Sequence, residues 1–549
     1  MKGSKAIAEI LKIEGVEFVS AFPEGDINTT INAIADVGIR TLLPRNERVA
    51  VNIADGYTRV SNRIGVALVA GGVGASNAFP GVSQAFSDLV PILVFVGQVA
   101  RNRLGTRSPQ NLDHIYIFHK VTKWVERINL ASRVPEFMRR AFTYLKTGRP
   151  SPVVLEVPQD VSNEEFDDSF FSYKPIKGWK TMGDPHDIQV AVRSLLAAKN
   201  PIIYAGEGVL RAQAWDELRT FAELLQIPVI TTLKAKGVFP ENHPLSVGSG
   251  GRSGGKPAAH FMNKADLVFS IGASLTKGYG APISNGKILI QSVIDELDVN
   301  KDYFADYVII GDAKLVLKQL IAEVEKQGVR RSLNEALLKE IELVKEQWLK
   351  NWMSKLTSNE KPINPYRVIW DLSNSVDKES TIIIPDAGGP RDQLVPFYEV
   401  TAPWGCICWG HQTILGYSLG GAMGAKLANP KKTAINVMGD GAFGMVGIDF
   451  ETAVREKIPI ITIILNNSAL GWYTKHTPST SILSGNYAKI AEGLGGYYER
   501  VEEPDDIIPA IKQAKKSADS GKAALIEIIT KIEWHLQEGY WWKSSYPTL

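Results

Sequence analysis

The chain has 549 residues, 44% of them hydrophobic, and its 61 basic and 59 acidic side chains leave a formal charge of +2. That balance gives no electrostatic case for nucleic acid or an anionic membrane surface, and no apolar run approaches the roughly 18 residues that span a bilayer. Two cysteines, Cys406 and Cys408, are too few for a disulfide framework and, with 8 His, argue against a transition-metal site, so a reducing cytoplasm is the expected compartment.

At about 150 residues per domain, the length implies three or four domains. Met1 to Glu14 reads as an amphipathic helix, with Ile7, Ile10 and Leu11 among Glu9, Lys12 and Glu14, and not as a signal-peptide core. A strand from Glu17 to Phe22, a helix near Thr29 to Asp36 and a strand from Ile39 to Leu43 follow, an alternation that specifies an α/β domain with a parallel sheet over 1–175. After that strand come Pro44, Arg45, Asn46 and Glu47, then Val49, Ile53 and Tyr57 at helical spacing. Glu47 thus stands where a strand hands over to a helix; on position alone it reads as a solvated first-turn glutamate favoured by the helix dipole.

A polar connector with Pro175 and Pro185 separates this unit from a second α/β unit over 185–335, with strands at Pro201–Ala205, Pro228–Thr232 and Leu267–Ile271. Its turns at Gly206-Glu207-Gly208 and Gly248 to Gly255 are glycine clusters that could cradle a phosphate, without a complete dinucleotide fingerprint. A charged helix, Glu335 to Lys355, with Leu337, Leu338, Ile341 and Val344 on one face, leads to a third unit over 360–549. There an apolar run, Ala434 to Met438, stops at Gly439-Asp440-Gly441. A helix-length segment and a second β-branched run, Ile460 to Leu465, then end at Asn466-Asn467. Strand, helix, strand of these lengths is a parallel βαβ unit, so Asp440 and Asn467 belong to one edge of the sheet. A carboxylate, an amide oxygen and a main-chain carbonyl are hard donors suited to Mg²⁺. The tail, with Trp534, Tyr540, Trp541, Trp542 and Tyr546, reads as a docked hydrophobic latch or as a lid over the site.

Gly-Asp-Gly followed at this spacing by Asn-Asn resembles the diphosphate-binding motif of thiamine diphosphate enzymes. The first unit resembles the pyrimidine-binding domain of their acetolactate synthase-like branch through Glu47 with Ala54 to Arg59, Gly71 to Asn77, Pro91, Gly97-Gln98-Val99, Gln110, Asp113 and Thr122-Lys123. The resemblance implies three doubly wound α/β domains: pyrimidine-binding, central and diphosphate-binding. It also implies that Mg²⁺ is held by Asp440, Asn467 and the Ala469 carbonyl, and that Gly439, Gly441, Ala442 and Thr413 contact the cofactor. Glu47 would hydrogen-bond the aminopyrimidine N1′, Gln110 would line the cavity, and Leu415 would be the apolar wedge beneath the bent cofactor. The central domain of this branch holds FAD, ADP or nothing, and the expected assembly is a homodimer or homotetramer whose sites are shared between subunits.

The chain departs from the pattern in three places: Ser274-Leu275-Thr276-Lys277 replaces a Phe-Asp-Asp-Arg run, His476 stands where the branch has a Trp, and Glu24 and Asp26 replace a Gly and an Ala. The expected activity is making or breaking a C–C bond beside a carbonyl. The substrate is a small 2-oxo acid or, with the aromatic tail as lid, a 2-hydroxyacyl-CoA or oxalyl-CoA. An inactive cofactor-binding regulatory subunit is the third reading, opposed by the joint presence of Glu47, Asp440 and Asn467.

Overall fold

A computed structural model describes residues 1–277, 280–475 and 477–533. His476 and the aromatic tail from Trp534 onward lie outside the described residues. Among those described, no helix is long and apolar enough to cross a membrane.

Three parallel sheets organise the chain. The first contains β1 (Phe18–Ala21), β2 (Arg40–Leu42), β3 (Val66–Val69), β4 (Leu93–Gln98), β5 (Trp124–Arg127) and β6 (Val153–Pro158), in the order β2-β1-β3-β4-β6-β5. The second contains β7 (Pro201–Ala205), β8 (Val229–Thr231), β9 (Ser246–Ser249), β10 (Leu267–Ile271), β11 (Ile288–Val293) and β12 (Tyr307–Ile310), in the order β12-β11-β10-β7-β8-β9. The third contains β13 (Thr381–Pro385), β14 (Thr433–Gly439), β15 (Ile461–Asn466), β16 (Tyr497–Val501) and β17 (Ala524–Ile529), in the order β13-β14-β15-β17-β16. The central strands are continuous apolar runs because helices cover both faces: every residue of β4, β7, β10 and β15 is buried. The first two sheets are wound outward in two directions, their order reversing at β1/β3 and β10/β7, whereas the third runs in one direction from the edge strand β13; in the first and third sheets the last strand turns back, β6 inserting between β4 and β5 and β17 between β15 and β16.

The segment after β14 differs from the single helix that its pattern suggests. A helix runs from Asp440 to Val446, a tight turn covers Gly447–Asp449, and a second helix runs from Phe450 to Arg455. Asp440 is therefore the first residue of a helix, with Gly439 as its extended cap. The two glycine turns of the central unit also part company. Gly208 lines a cavity of about 530 Å³ between the first and second units. The Gly248–Gly255 turn instead docks on the third unit: the Ser253 hydroxyl donates to Asp392 Oδ1 at 2.6 Å, and Arg252 pairs with Asp392 at 3.5 Å. Arg252 and Ser253 thus clamp this turn to the third unit, whereas the Gly206–Gly208 turn borders the cavity.

The first and third units meet through two helices, Glu47–Ser61 and Tyr417–Ala428, packed backbone on backbone. A Cβ on Gly56 would lie 2.7 Å from Gly421 Cα, and one on Gly424 would lie 2.2 Å from the Ile53 carbonyl oxygen. Only glycine permits so close an approach, which explains the small-residue run Gly420 to Ala425.

Candidate active site

The third-unit half of the site forms where β14 and β15 end side by side, with Gly439 paired to Leu465. Asp440 Oδ1 accepts the Gly441 N–H at 2.9 Å and Oδ2 accepts the Ala469 N–H at 3.1 Å; Asn467 Oδ1 accepts that same N–H at 3.1 Å. A carboxylate and an amide oxygen from two strand ends thus converge on one amide. Asp440 is only 2% exposed, and burial pushes its carboxyl up to about 6 despite the N–H groups that pull it down. Among the described residues it has no cationic partner. The space beside Gly439 is open, whereas a Cβ on Gly441 would lie 2.6 Å from Leu470 Cδ2, so that second glycine answers to a packing constraint as well. Ala442 is buried in the same turn of helix.

The first-unit half surrounds Glu47. Asn46 caps the helix by accepting the Arg48 N–H at 2.9 Å, which sets Glu47 at the first helical position. Glu47 is not solvated: it is 6% exposed, and its Oε2 accepts the Asn77 side-chain amide at 3.0 Å. Its Oε1 has no hydrogen bond among the described residues and faces Gly74, where a Cβ would lie 3.4 Å away. Gln110 sits on the other side of the same turn, its Cα 2.7 Å from where a Gly72 Cβ would be. Its φ of 65° is a left-handed conformation that non-glycine residues adopt at a cost. Asp26 accepts the Gly71 N–H at 2.8 Å and His114 Nε2 accepts the Gly72 N–H at 2.9 Å, so the turn between Glu47 and Gln110 is tied down at both of its first amides.

Leu415 is half-buried against the core of the third unit, in front of the Tyr417–Ala428 helix. Asp386, wholly buried, accepts the N–H groups of Gly416 and Ser418, each at 2.9 Å, and so fixes the backbone on which Leu415 stands. Thr413 has φ 50°, a strained setting for a β-branched residue that marks this approach as constrained. Asp449 Oδ1 accepts the Arg45 N–H at 2.7 Å, joining the turn before Glu47 to the end of the Asp440 segment. No hydrogen bond among the described residues links the Glu47–Gln110 group with the Asp440–Asn467 group.

Asp386, Asn77 and Asp26 carry no role in the sequence reading, although each holds part of the site. A signal for Asp386 was present: Asp386-Ala387-Gly388 follows its buried strand as Asp440-Gly441 follows β14, and the sheet order sets β13 beside β14. Asn77 enters the sequence reading only as the end of a motif and Asp26 only as a departure, because the partners that give them their parts are 30 and 45 residues away. Of the three departures, Ser274, Leu275 and Thr276 line the central cavity, Asp26 lies under the Gly71–Gly74 turn, and His476 is outside the described residues.

Comparison with known proteins agrees with this arrangement. Residues 1–117 match the N-terminal TPP binding domain of thiamine pyrophosphate enzymes, 188–320 the central domain and 386–528 the C-terminal TPP binding domain. A probable acetolactate synthase large subunit of Methanococcus aeolicus is 32% identical over 544 residues, covering 94% of this chain and 90% of that protein. One from Methanocaldococcus jannaschii is 32% identical over 550 residues, with the same coverage. The acetolactate synthase isozyme 3 large subunit of Escherichia coli (strain K12) is 28% identical over 552 residues, covering 96% and 94%. The three matched domains, in this order on three parallel sheets, make the chain a thiamine diphosphate-dependent enzyme of the acetolactate synthase-like branch, which makes or breaks C–C bonds as a carboligase or decarboxylase.

Proposed function

We propose that the enzyme decarboxylates or ligates small 2-oxo acids with thiamine diphosphate and Mg²⁺, its units 1–175, 185–335 and 360–549 serving as pyrimidine-binding, central and diphosphate-binding domains. The observation that carries the reading is the convergence of Asp440 and Asn467 on the Ala469 amide, around a buried carboxylate that has no counter-cation among the described residues. One carboxylate, one amide oxygen and the neighbouring Ala469 carbonyl suit a hard dication that takes its remaining ligands from phosphate and water, and the open space at Gly439 leaves room for such a group. The residues present therefore fit a metal-bound diphosphate.

When bound, thiamine diphosphate supplies the electron sink for breaking or forming a C–C bond beside a carbonyl. Asp440 and Asn467 would hold the metal and, with it, the diphosphate end of the cofactor. Glu47, with Oε2 fixed by Asn77 and Oε1 without a hydrogen bond among the described residues, would share a proton with the aminopyrimidine N1′. Leu415, on the backbone pinned by Asp386, would pack against the cofactor, and Gln110 would line the space for substrate. The cavity bordered by Gly208, Lys234 and Lys180 is the place for FAD or ADP.

We take the assembly to be at least a homodimer, reaching a homotetramer, in a reducing cytoplasm. Exposed apolar side chains flank both halves of the site, Val73 and Tyr116 on the first unit and Met445 and Ile448 on the third, and a second copy would cover them. Both cysteines are free and buried, which suits a reducing compartment. The relatives' names, those of acetolactate synthases, favour a 2-oxo acid over an acyl-CoA substrate.

The test is incubation of the Mg²⁺- and cofactor-loaded protein with pyruvate and, separately, with a 2-hydroxyacyl-CoA. Carbon dioxide with acetolactate or acetaldehyde from pyruvate is the expected result. Turnover of only the acyl-CoA would replace the 2-oxo acid reading, and turnover of neither, with no proton exchange at the cofactor C2, would make the chain a regulatory subunit.

A further inference from the structure

A knot of buried charge ties the three units together at the crossing of the two catalytic helices. Arg59, on the helix that begins at Glu47, is 1% exposed; its Nε donates to Asp55 at 2.6 Å, and its other nitrogens reach Asp88 at 3.2 Å and Glu207 at 3.6 Å. Tyr417, the first residue of the helix behind Leu415, donates its hydroxyl to Asp55, and Arg59 lies 5.5 Å from its ring centroid. From the central unit, Lys234 approaches Glu207 at 3.2 Å and Asp88 at 3.7 Å, and Arg211 donates to Glu207 at 2.9 Å. Three carboxylates, Asp55, Asp88 and Glu207, face three cations, Arg59, Lys234 and Arg211, with no surplus. A buried cluster of this kind is stable only while its charges are matched, because a lone charge cannot be hydrated there.

The knot also forms part of the wall of the 530 Å³ cavity. Glu207, Arg211 and Lys234 line it, while Asp55, Arg59 and Asp88 are sealed behind them. Lys234 is the member most open to that space, its side chain 15% exposed against 8% for Glu207 and 10% for Arg211. Six basic and four acidic side chains line the cavity in all, so an anion is the ligand class it suits. An anion there competes with Asp88 and Glu207 for the Lys234 ammonium group. If Lys234 is drawn away, two carboxylates are left to share Arg59, which also holds Asp55 and, through it, Tyr417.

We propose that Lys234 is a positioning residue that couples this cavity to the active site. An anionic ligand of the nucleoside diphosphate class engages Lys234, re-partitions the knot around Arg59 and shifts the Glu47–Ser61 and Tyr417–Ala428 helices against each other. The affinity for thiamine diphosphate changes as a result. The proposal rests on the reading of the cavity as a nucleotide site, and it assigns that site a regulatory consequence.

The test uses calorimetry on the full chain. ADP binding is measured first, without cofactor; thiamine diphosphate with Mg²⁺ is then titrated with and without saturating ADP. In the wild type, ADP changes the cofactor Kd by about 5-fold or more, the size expected of coupled sites. Lys234→Met removes the ammonium group and so mimics its withdrawal: without ADP its cofactor Kd is displaced in the direction that ADP displaces the wild type, and ADP moves it no further. Lys234→Arg, which keeps the charge, retains the coupling and serves as the folded control if the methionine variant misfolds. ADP binding that leaves the wild-type cofactor Kd unchanged overturns the proposal and spares the cavity reading. Persistence of the ADP effect in Lys234→Met, or its loss in Lys234→Arg, overturns the role of Lys234. Failure of ADP to bind overturns the cavity reading, and the proposal with it.

Discussion

Glu47 and Asp440 are both buried carboxylates placed by the end of a parallel strand, yet their surroundings prepare them for opposite tasks. Glu47 has one oxygen held by the neutral Asn77 amide and one left free. Asp440 has both oxygens on main-chain N–H groups beside a second oxygen donor, and burial lifts its carboxyl to about 6. A carboxylate with a free oxygen can exchange a proton in place. One that is rigidly held, desolvated and without a counter-charge is poised to receive a cation. Experiments that treat the two acids alike should therefore separate them.

The largest separation is expected from Glu47→Gln. It removes a proton-holding group and no anchor, so turnover and C2 proton exchange should fall about 10²–10⁴-fold, while cofactor and Mg²⁺ still raise the melting temperature. Exchange at the wild-type rate, measured by NMR in D₂O, would show that Glu47 is not the proton-holding acid. Asp440→Ala should do the reverse and lose the ligand-linked stabilisation itself, about 2.7 kcal/mol at a hundredfold excess over Kd. If thermal shift assays still show that stabilisation, the metal is held elsewhere. Mixing the two variants should restore part of the activity if each site draws Glu47 from one subunit and Asp440 from another.

The pH dependence sharpens the contrast at Asp440. Its folded value, about 6, lies above the ordinary value of 3.8, so its contribution to stability is fully present below about pH 4 and is lost as the pH rises through 6. In the metal-free protein, Asp440→Asn should therefore be more stable than the wild type at pH 7.5, by up to about 3 kcal/mol, with the gap closing toward pH 4. With Mg²⁺ and cofactor the order should invert. A pH-independent gap between the two proteins in thermal melts would mean that Asp440 is not desolvated as described. The smallest effect is expected at Gly441→Ala, whose added methyl meets the movable end of Leu470. A destabilisation of about 1 kcal/mol with the metal site retained is the expected result, read by denaturant titration.

Much of this enzyme is legible in its residues taken in order. Continuous β-branched runs such as Ile460 to Leu465 can only be strands covered on both faces, and their alternation with helices dictates parallel sheets. Because parallel strands end on one edge, Gly439-Asp440 and Asn466-Asn467 are bound to neighbour each other once β14 pairs with β15. Local chemistry with a short crossover is enough for that much.

What the linear order leaves open depends on partners far away in the chain. Whether Glu47 is solvated or buried is decided by Asn77 and the Gly71–Gly74 turn, which arrive from another strand. The two glycine clusters of the central unit look alike as sequences, and only the position of Asp392, some 140 residues beyond Ser253, makes one of them a clamp while the other borders a cavity. Arg59 reads in the sequence as one more helix residue. Its enclosure by Asp55, Asp88, Glu207 and Tyr417 exists only after three domains have packed, because burial and charge pairing are properties of the assembled chain and not of any stretch of it.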